Sequence, residues 1–236
     1  MKLDILAFGA HPDDIEISAG GLLISEAKKG KKIGLVDMTL GEMGTRGTPE
    51  LRLTEAANAG EIIGASIRTN LRMLDTRFEI NDASRALIIN LIRIHQPSIV
   101  ITNASSDRHP DHGRASALVV ESCFLAGLVK WQYTGIVQAP WRPSAIYQYM
   151  QFYQHIPTFT YDITDVIEQK MDSIKAHRSQ FWDPNSTEPE TLIASKHFLE
   201  NIKSRASEYG LQAGFGFGEP FICLRTPGVK DIFSLY

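Results

Sequence analysis

Short apolar runs alternate with longer amphipathic ones over the first half of the chain. Residues 3–10 are apolar but for Asp4 and stop at a His-Pro turn, the pattern of a strand buried on both faces. Residues 15–29 then set Ile17, Leu22, Leu23 and Ala27 on a helix with a basic end, and Gly30 follows as a stop signal. Residues 33–38 read as a second strand, 49–63 as a second helix with Glu50 near its start, and 71–74 as a short strand. Residues 82–95 form a helix ended by Pro97, 98–103 (Ser-Ile-Val-Ile-Thr-Asn) another buried-type strand, and 113–128 another helix. Such alternation predicts βαβ units. The expected fold is α/β and Rossmann-like, a mostly parallel sheet with helices on both faces.

Beyond Pro140 the rhythm changes. Residues 145–150 and 161–163 read as strands, 165–177 and 192–208 as helices, and 221–224 as a last strand preceded by a glycine-rich segment at 210–218. No low-complexity linker, internal repeat or long charge run divides the chain, which predicts a single domain over 1–236.

Composition leaves this picture standing and removes several function classes. Hydrophobic residues make up 43% and charged residues 22% of the chain, ordinary values for a globular protein. A formal charge of −3 provides no basic field, so nucleic-acid binding is not expected. The apolar start is too short for a signal segment with a cleavage site, and no run nears the ~20 residues that cross a bilayer. Cys123 and Cys223 are read as small buried hydrophobes in a reducing compartment rather than as a bridge. The expectation is a soluble, cytoplasmic protein with no membrane partner.

Candidate chemistry gathers behind two strands. In an open α/β sheet, ligands bind beyond the carboxyl ends of the strands. The run 3–10 delivers His11-Pro12-Asp13-Asp14, and the strand 98–103 delivers, after a short loop, Asp107-Arg108-His109-Pro110-Asp111-His112. Both clusters join imidazole to carboxylate beside a proline that fixes the local turn. Catalytic zinc takes three protein N/O ligands and keeps one position open. A histidine and an aspartate from the first cluster with a histidine from the second supply that set. Either cluster alone is also what an exposed polar loop looks like; two of them, each after a buried strand, point to one site.

Together the two motifs resemble those of the PIG-L or LmbE-like family of zinc N-acetylglucosaminyl deacetylases, and the similarity extends through Gly41-Glu42-Met43-Gly44-Thr45-Arg46-Gly47-Thr48 and Arg52. The 41–48 loop further resembles the bacillithiol-biosynthesis branch, whose members deacetylate N-acetylglucosaminyl-L-malate. The resemblance implies a hydrolase in which His11, Asp14 and His112 bind one Zn2+, although Fe2+ or another divalent ion fits the same donors. Asp13 would be the general base, and a protonated His109 would face the forming oxyanion. Asp111 would orient and charge that ring, or simply pack locally. Arg52 or Arg46 would hold the carboxylates of a malyl aglycone, Arg52 being otherwise a solvated helix-face residue. Glu42 would bond sugar hydroxyls or cap a turn. The metal site would occupy the half 1–140, with 141–236 contributing substrate contacts and packing. Relatives of this branch form hexamers, so a homo-oligomer is expected.

Other residues carry weaker signals. His177 precedes Arg178-Ser179-Gln180, similar to a family pattern, but reads as a helix C-terminal histidine lying on the dipole, as does His95. Residues 214–219 precede a strand instead of opening a helix, so they lack phosphate-loop geometry and read as a flexible segment by the site mouth. Trp131, Trp141 and Trp182 read as core. Rival functions are deacetylation of chito-oligosaccharides or another glycoconjugate, a non-catalytic sugar- or metal-binding module, and a phosphoesterase, which would want more carboxylates for two metals.

Overall fold

In the computed structural model, which describes residues 1–135 and 137–234, the first apolar run forms β1 (Ile5–Gly9), buried at every position. The strands parallel to it are β2 (Ile33–Thr39), β3 (Ile67–Met73), β4 (Ile99–Asn103) and β5 (Ala145–Tyr149). With β6 (Phe159–Asp162) and β7 (Gly218–Cys223) they make one seven-stranded sheet in the order β3-β2-β1-β4-β5-β7-β6, in which β7 runs antiparallel to both neighbours. The helices are α1 (Asp14–Lys28), α2 (Pro49–Ile63), α3 (Asp82–His95), α4 (Pro110–Ala126), α5 (Ile167–Lys175) and α6 (Lys196–Ala213).

The period of two along β1 explains why its run is continuously apolar. Leu6 and Phe8 pack with Ile88 and Ile92 of α3 and Leu118 and Val119 of α4. Ile5 and Ala7 face the other way, into a core with Ile15 and Leu23 of α1, Ile63 of α2, Ile167 of α5 and Ala206 of α6. Both faces are therefore covered, as expected for a parallel sheet. Each large aliphatic or aromatic side chain so buried contributes about 1.5–3 kcal/mol. No helix among the described residues is long and apolar enough to cross a membrane.

Several element bounds differ from the expectation, each for a local reason. The strand expected at 71–74 begins at Ile67, because its first half carries Arg68, Thr69 and Asn70 at the sheet edge instead of an apolar run. Arg68 turns its guanidinium onto both Asp37 oxygens, at 2.9 and 2.8 Å, and onto Glu16. The helix expected at 113 starts at Pro110, with His109 as its N-cap. Residues 165–177 divide into a 3-10 turn, Thr164–Val166, and α5. The helix expected at 192–208 runs later: Ser195 accepts the Phe198 amide at its start, and Gly214, at φ 82°, closes it in the left-handed region. In the glycine-rich segment, Gly210 lies inside α6 and Gly218 opens β7.

One feature of α1 has no local sequence signature. In a regular helix the Gly21 amide would donate to the Ile17 carbonyl four residues back. Here the Gly21 and Leu22 amides donate to Glu219 Oε1 and Oε2 at 2.8 and 2.7 Å, and the Ile17 carbonyl accepts from Lys170 Nζ at 2.8 Å. Lys170 and Glu219 pair with each other, their side chains 2% exposed. A buried ion pair from α5 and β7 therefore patches the middle of α1.

Candidate active site

β1 and β4 are neighbours, with Ile5 opposite Ile99, and the strand order reverses between them. Such a switch point opens a crevice at the strands' carboxyl ends. The loops leaving β1 and β4 carry the two polar clusters to it. The His11 and His112 rings lie 5.5 Å apart between centroids, and His109 stands 4.5 Å from His11 and 5.4 Å from His112. One nitrogen from each of the three lies within 4.8 Å of the others.

Outer carboxylates decide which nitrogens face inward. His11 Nε2 contacts Asp75 Oδ1 at 3.2 Å, which leaves Nδ1 toward Asp14 Oδ2 at 3.6 Å. His112 Nδ1 contacts Asp107 Oδ2 at 2.7 Å, which leaves Nε2 toward Asp14 Oδ1 at 3.2 Å. Asp14 is fixed in turn by the His11 amide at 3.0 Å, Asn103 Nδ2 at 3.3 Å and Gln151 Nε2 at 2.8 Å. A carboxylate behind each imidazole is the arrangement that fixes a metal-binding histidine's tautomer. Electrostatics agree. Burial disfavours an imidazolium at His11, yet Asp111, Asp14 and Asp75 outweigh it and raise its pKa well above the usual range. Burial is likewise overcome at His112, where Asp14 and Asp107 raise the pKa to about 9. Asp14 is held well below the carboxylate range by His112 and His11, against the opposing effect of burial. The cluster stabilises positive charge, and the groups among the described residues that could hold a metal ion are His11, His109 and His112, and His11, Asp75 and Asp111, with Asp14 beside the inward nitrogens of His11 and His112.

The ring of His109 is placed differently. Its Nδ1 accepts the Asp111 amide at 3.2 Å, so the ring proton sits on Nε2. Burial, reinforced by the nearby His11 and His112, lowers its pKa. The protonated His109 expected from the sequence is therefore corrected to a neutral Nε2–H donor. The Asp111 carboxylate does not orient that ring either; it accepts the Thr76 amide at 2.8 Å, pairs with Arg114 and stands 3.5 Å from His11 Nε2.

Asp13 diverges from Asp14. It is the N-cap of α1, but at φ 123° its side chain makes no capping bond. Non-glycine backbone in that region stores roughly 1–3 kcal/mol of strain and persists only where the surroundings impose it. Its Oδ2 lies 3.3 Å from Arg52 Nη2. Burial pushes the Asp13 carboxyl up to about 6, with Arg52 pulling the other way.

The arginines and Glu42 fall unevenly. Arg52 is buried, not a solvated helix-face residue, and its guanidinium also donates to the carbonyls of Gly41 and Pro12. Arg46 does not reach the cleft; it is bonded to Ser186 Oγ at 2.6 Å and paired with Glu188. Glu42 Oε1 accepts the Asp75 amide at 2.8 Å, the turn-capping alternative. Arg108 lines the cleft as Arg52 does, but is exposed, 5.0 Å above the Phe152 ring.

His177 is fully buried beneath the site, its Nε2 3.4 Å from Glu16 Oε1, and not an exposed partner of a helix dipole. Trp131 and Trp141 pack on the core, whereas Trp182 is 41% exposed, contrary to the core expectation. The segment 214–219 does not line the cleft.

Asp75 and Gln151 lie outside the two clusters read from the sequence, and Asp107, inside the second, has no role assigned to it there. Asp75 had a usable signal, since it follows the short strand read at 71–74 and so falls at a carboxyl end. The cleft encloses about 190 Å3. A cavity of about 490 Å3 lies at the opposite end of β5, bordered by both free cysteines, but no imidazole or carboxylate lines it.

The sequence profile of the GlcNAc-PI de-N-acetylase (PIG-L) family matches residues 6–123, the stretch that carries both histidine clusters. The chain belongs to the PIG-L family. This PIG-L chain is 30% identical over 197 residues to the diacetylchitobiose deacetylase of Thermococcus kodakarensis, covering 76% of its own length and 73% of that protein's. It is 27% identical to a probable N-acetyl-alpha-D-glucosaminyl L-malate deacetylase 2 of Bacillus subtilis, over 76% of its length and 84% of that protein's. The crystal structure of a conserved protein from Thermus thermophilus superposes on the PIG-L chain with a TM-score of 0.87 at 31% identity, covering 98% of each chain.

The outer carboxylates lend themselves to a direct check. Asp75→Asn and Asp107→Asn are each expected to lower the affinity of the PIG-L chain for added Zn2+ by about 10–100-fold. Competition with a chelating dye measures this, and unchanged affinity in both variants would refute the assignment of inward-facing nitrogens.

Proposed function

We propose that the protein is a zinc-dependent, cytoplasmic deacetylase of N-acetylglucosaminyl-L-malate, releasing acetate and glucosaminyl-malate in bacillithiol biosynthesis. Membership of the PIG-L family and the relatives support deacetylation of a GlcNAc-containing substrate. The observation that carries the malyl reading is Arg108, a cation at the cleft wall to which no carboxylate is paired among the described residues. A malyl aglycone presents two carboxylates, which a guanidinium fork binds by parallel charge-assisted hydrogen bonds.

The residues divide the chemistry as follows. His11 Nδ1, Asp14 and His112 Nε2 would hold the ion, which supplies Lewis acidity toward the acetyl carbonyl and toward water. Asp13 accepts the proton of the attacking water as its oxygen bonds to the carbonyl carbon. His109 Nε2–H donates to the carbonyl oxygen as negative charge develops there. Asp13 then returns the proton to the sugar nitrogen, the C–N bond breaks, and acetate and a free amine result.

A second reading, deacetylation of a chito-oligosaccharide, is favoured by the 30% identity to the diacetylchitobiose deacetylase. Amine release by Zn2+-loaded protein from N-acetylglucosaminyl-L-malate, diacetylchitobiose and N-acetylglucosamine separates the two. A higher kcat/KM on the malyl compound supports the first reading, and a higher value on the disaccharide replaces it with the second. Arg108→Ala is expected to raise KM for the malyl compound about 10–100-fold, the loss of one charge-assisted contact, with little effect on N-acetylglucosamine. Equal changes on both would remove Arg108 from aglycone binding.

A further inference from the structure

We infer that Arg52 is a positioning residue, whose guanidinium holds the Pro12–Asp13 turn in its strained conformation and so aims the Asp13 carboxylate into the cleft. The inference rests on the proposed role of Asp13 as general base, and it replaces the expectation that Arg52 clamps a substrate carboxylate.

The geometry is specific to such a task. Nη2 donates to the Pro12 carbonyl at 2.9 Å and reaches Asp13 Oδ2 at 3.3 Å, gripping the turn by its backbone and its side chain together. Nη1 donates to the Gly41 carbonyl at 2.8 Å, which anchors the group to the loop after β2. The stem rises from the first turn of α2, where the Thr48 side chain caps the helix and Pro49 pre-sets its start. Arg52 thus spans β1, β2 and α2 with a planar, always-charged group that cannot rearrange without losing several contacts at once.

Two further observations separate this from a substrate clamp. A clamp keeps its fork free for the ligand, whereas Arg52, although it borders the cleft, is 5% exposed and both of its terminal nitrogens already bond to protein oxygens. The loop is also shaped around the guanidinium. Gly41 has φ 65°, and a Cβ there would lie 1.9 Å from Arg52 Nη1. The glycine both adopts the left-handed turn and leaves room for the arginine. The opposite design is seen at Arg108, which is exposed and pairs with no carboxylate among the described residues.

The strain at Asp13 explains why a clasp is needed. An aspartate at an N-cap ordinarily folds its carboxylate back onto the helix amides. The φ of 123° at Asp13 prevents that, and its side chain makes no cap bond. Without the clasp, the turn relaxes and the carboxylate returns to the first turn of α1, away from the substrate.

Arg52→Gln, Arg52→Lys and Gly41→Ala test this, the last displacing the guanidinium without altering any charged residue. Each is expected to lower kcat by about 100-fold, the effect of a misplacement of about 1 Å, while KM stays within about threefold on both an acidic and a neutral N-acetylglucosaminide. Lysine keeps the charge but not the fork, so it should not restore turnover. Crystal structures of the variants should show Asp13 out of the positive-φ region, a readout that needs no substrate. The inference is overturned if Asp13 keeps its φ near 123° with its carboxylate in place, if Arg52→Lys turns over at the wild-type rate, or if the effect falls on KM for the acidic substrate alone. Should the wild-type protein turn over no N-acetylglucosaminide, the proposed function fails, and the variant structures still decide what Arg52 does. Should the Arg52 variants not fold, Gly41→Ala carries the same comparison.

Discussion

Asp13→Ala is expected to lower deacetylation by about 10²–10⁴-fold, the contribution of a positioned general base, while the protein retains its metal. The two halves of that result come from different side chains. Asp14 lies between the inward nitrogens of His11 and His112, whereas Asp13 turns toward Arg52. Removing Asp13 therefore takes away the proton acceptor and leaves the donor set intact. Metal analysis beside an amine-release assay checks both halves. A wild-type rate would end the base assignment, and loss of metal would mean that the two aspartates had been given each other's roles. The same carboxyl sets the acid limb of the pH profile. Burial raises it to about 6, and the base must be ionised to work. Turnover should therefore hold at neutral pH and fall as the pH drops through about 6, with a bound cation moving that limb lower.

Lys170→Met is expected to give the largest loss of stability, about 3–5 kcal/mol, typical of breaking a fully buried ion pair by removing one partner. For a chain of this size each kcal/mol corresponds to about 2–4 °C in Tm. The variant strands the Glu219 carboxylate, which both of its helix amides still hold, and leaves the Ile17 carbonyl without the Lys170 ammonium. Replacing both members by apolar residues often recovers stability at buried pairs. It should not do so fully here, because the Gly21 and Leu22 amides and the Ile17 carbonyl would each lose a hydrogen bond. Thermal and urea unfolding of Lys170→Met, Glu219→Gln and the apolar double variant measure the series. A Lys170→Met protein as stable as wild type would show that the pair does not support α1.

How much of this was legible beforehand follows from the range of the interactions. β1 and β4 are buried on both faces, so their apolar runs stand out, and the crevice between them follows from parallel topology. The two His/Asp clusters were legible because each is contiguous in sequence. β3 was only half visible, since Arg68 and Asn70 point into polar partnerships at a sheet edge: Arg68 onto Asp37, Asn70 onto the Thr39 carbonyl. The start of α4 was missed because Pro110 and Asp111 read as loop residues, yet proline at a first helical position and an N-capping His109 put His112 on the helix's first turn. Asp75 and Gln151 act on His11 and Asp14 across long separations, which no periodicity records. Arg52 was noticed, but its direction was not, because the acceptors that turn it inward are backbone carbonyls, which carry no sequence signal.

The patch on α1 bears on how the protein folds. The helix that begins at Asp14 has two of its middle amides bonded to Glu219. The Pro12–Asp13 elbow therefore sits at the head of a helix whose middle amides are held by a strand residue 198 positions away in sequence. Full support of the cleft's first loop thus waits on a contact of high sequence separation, which the first βα unit alone does not supply.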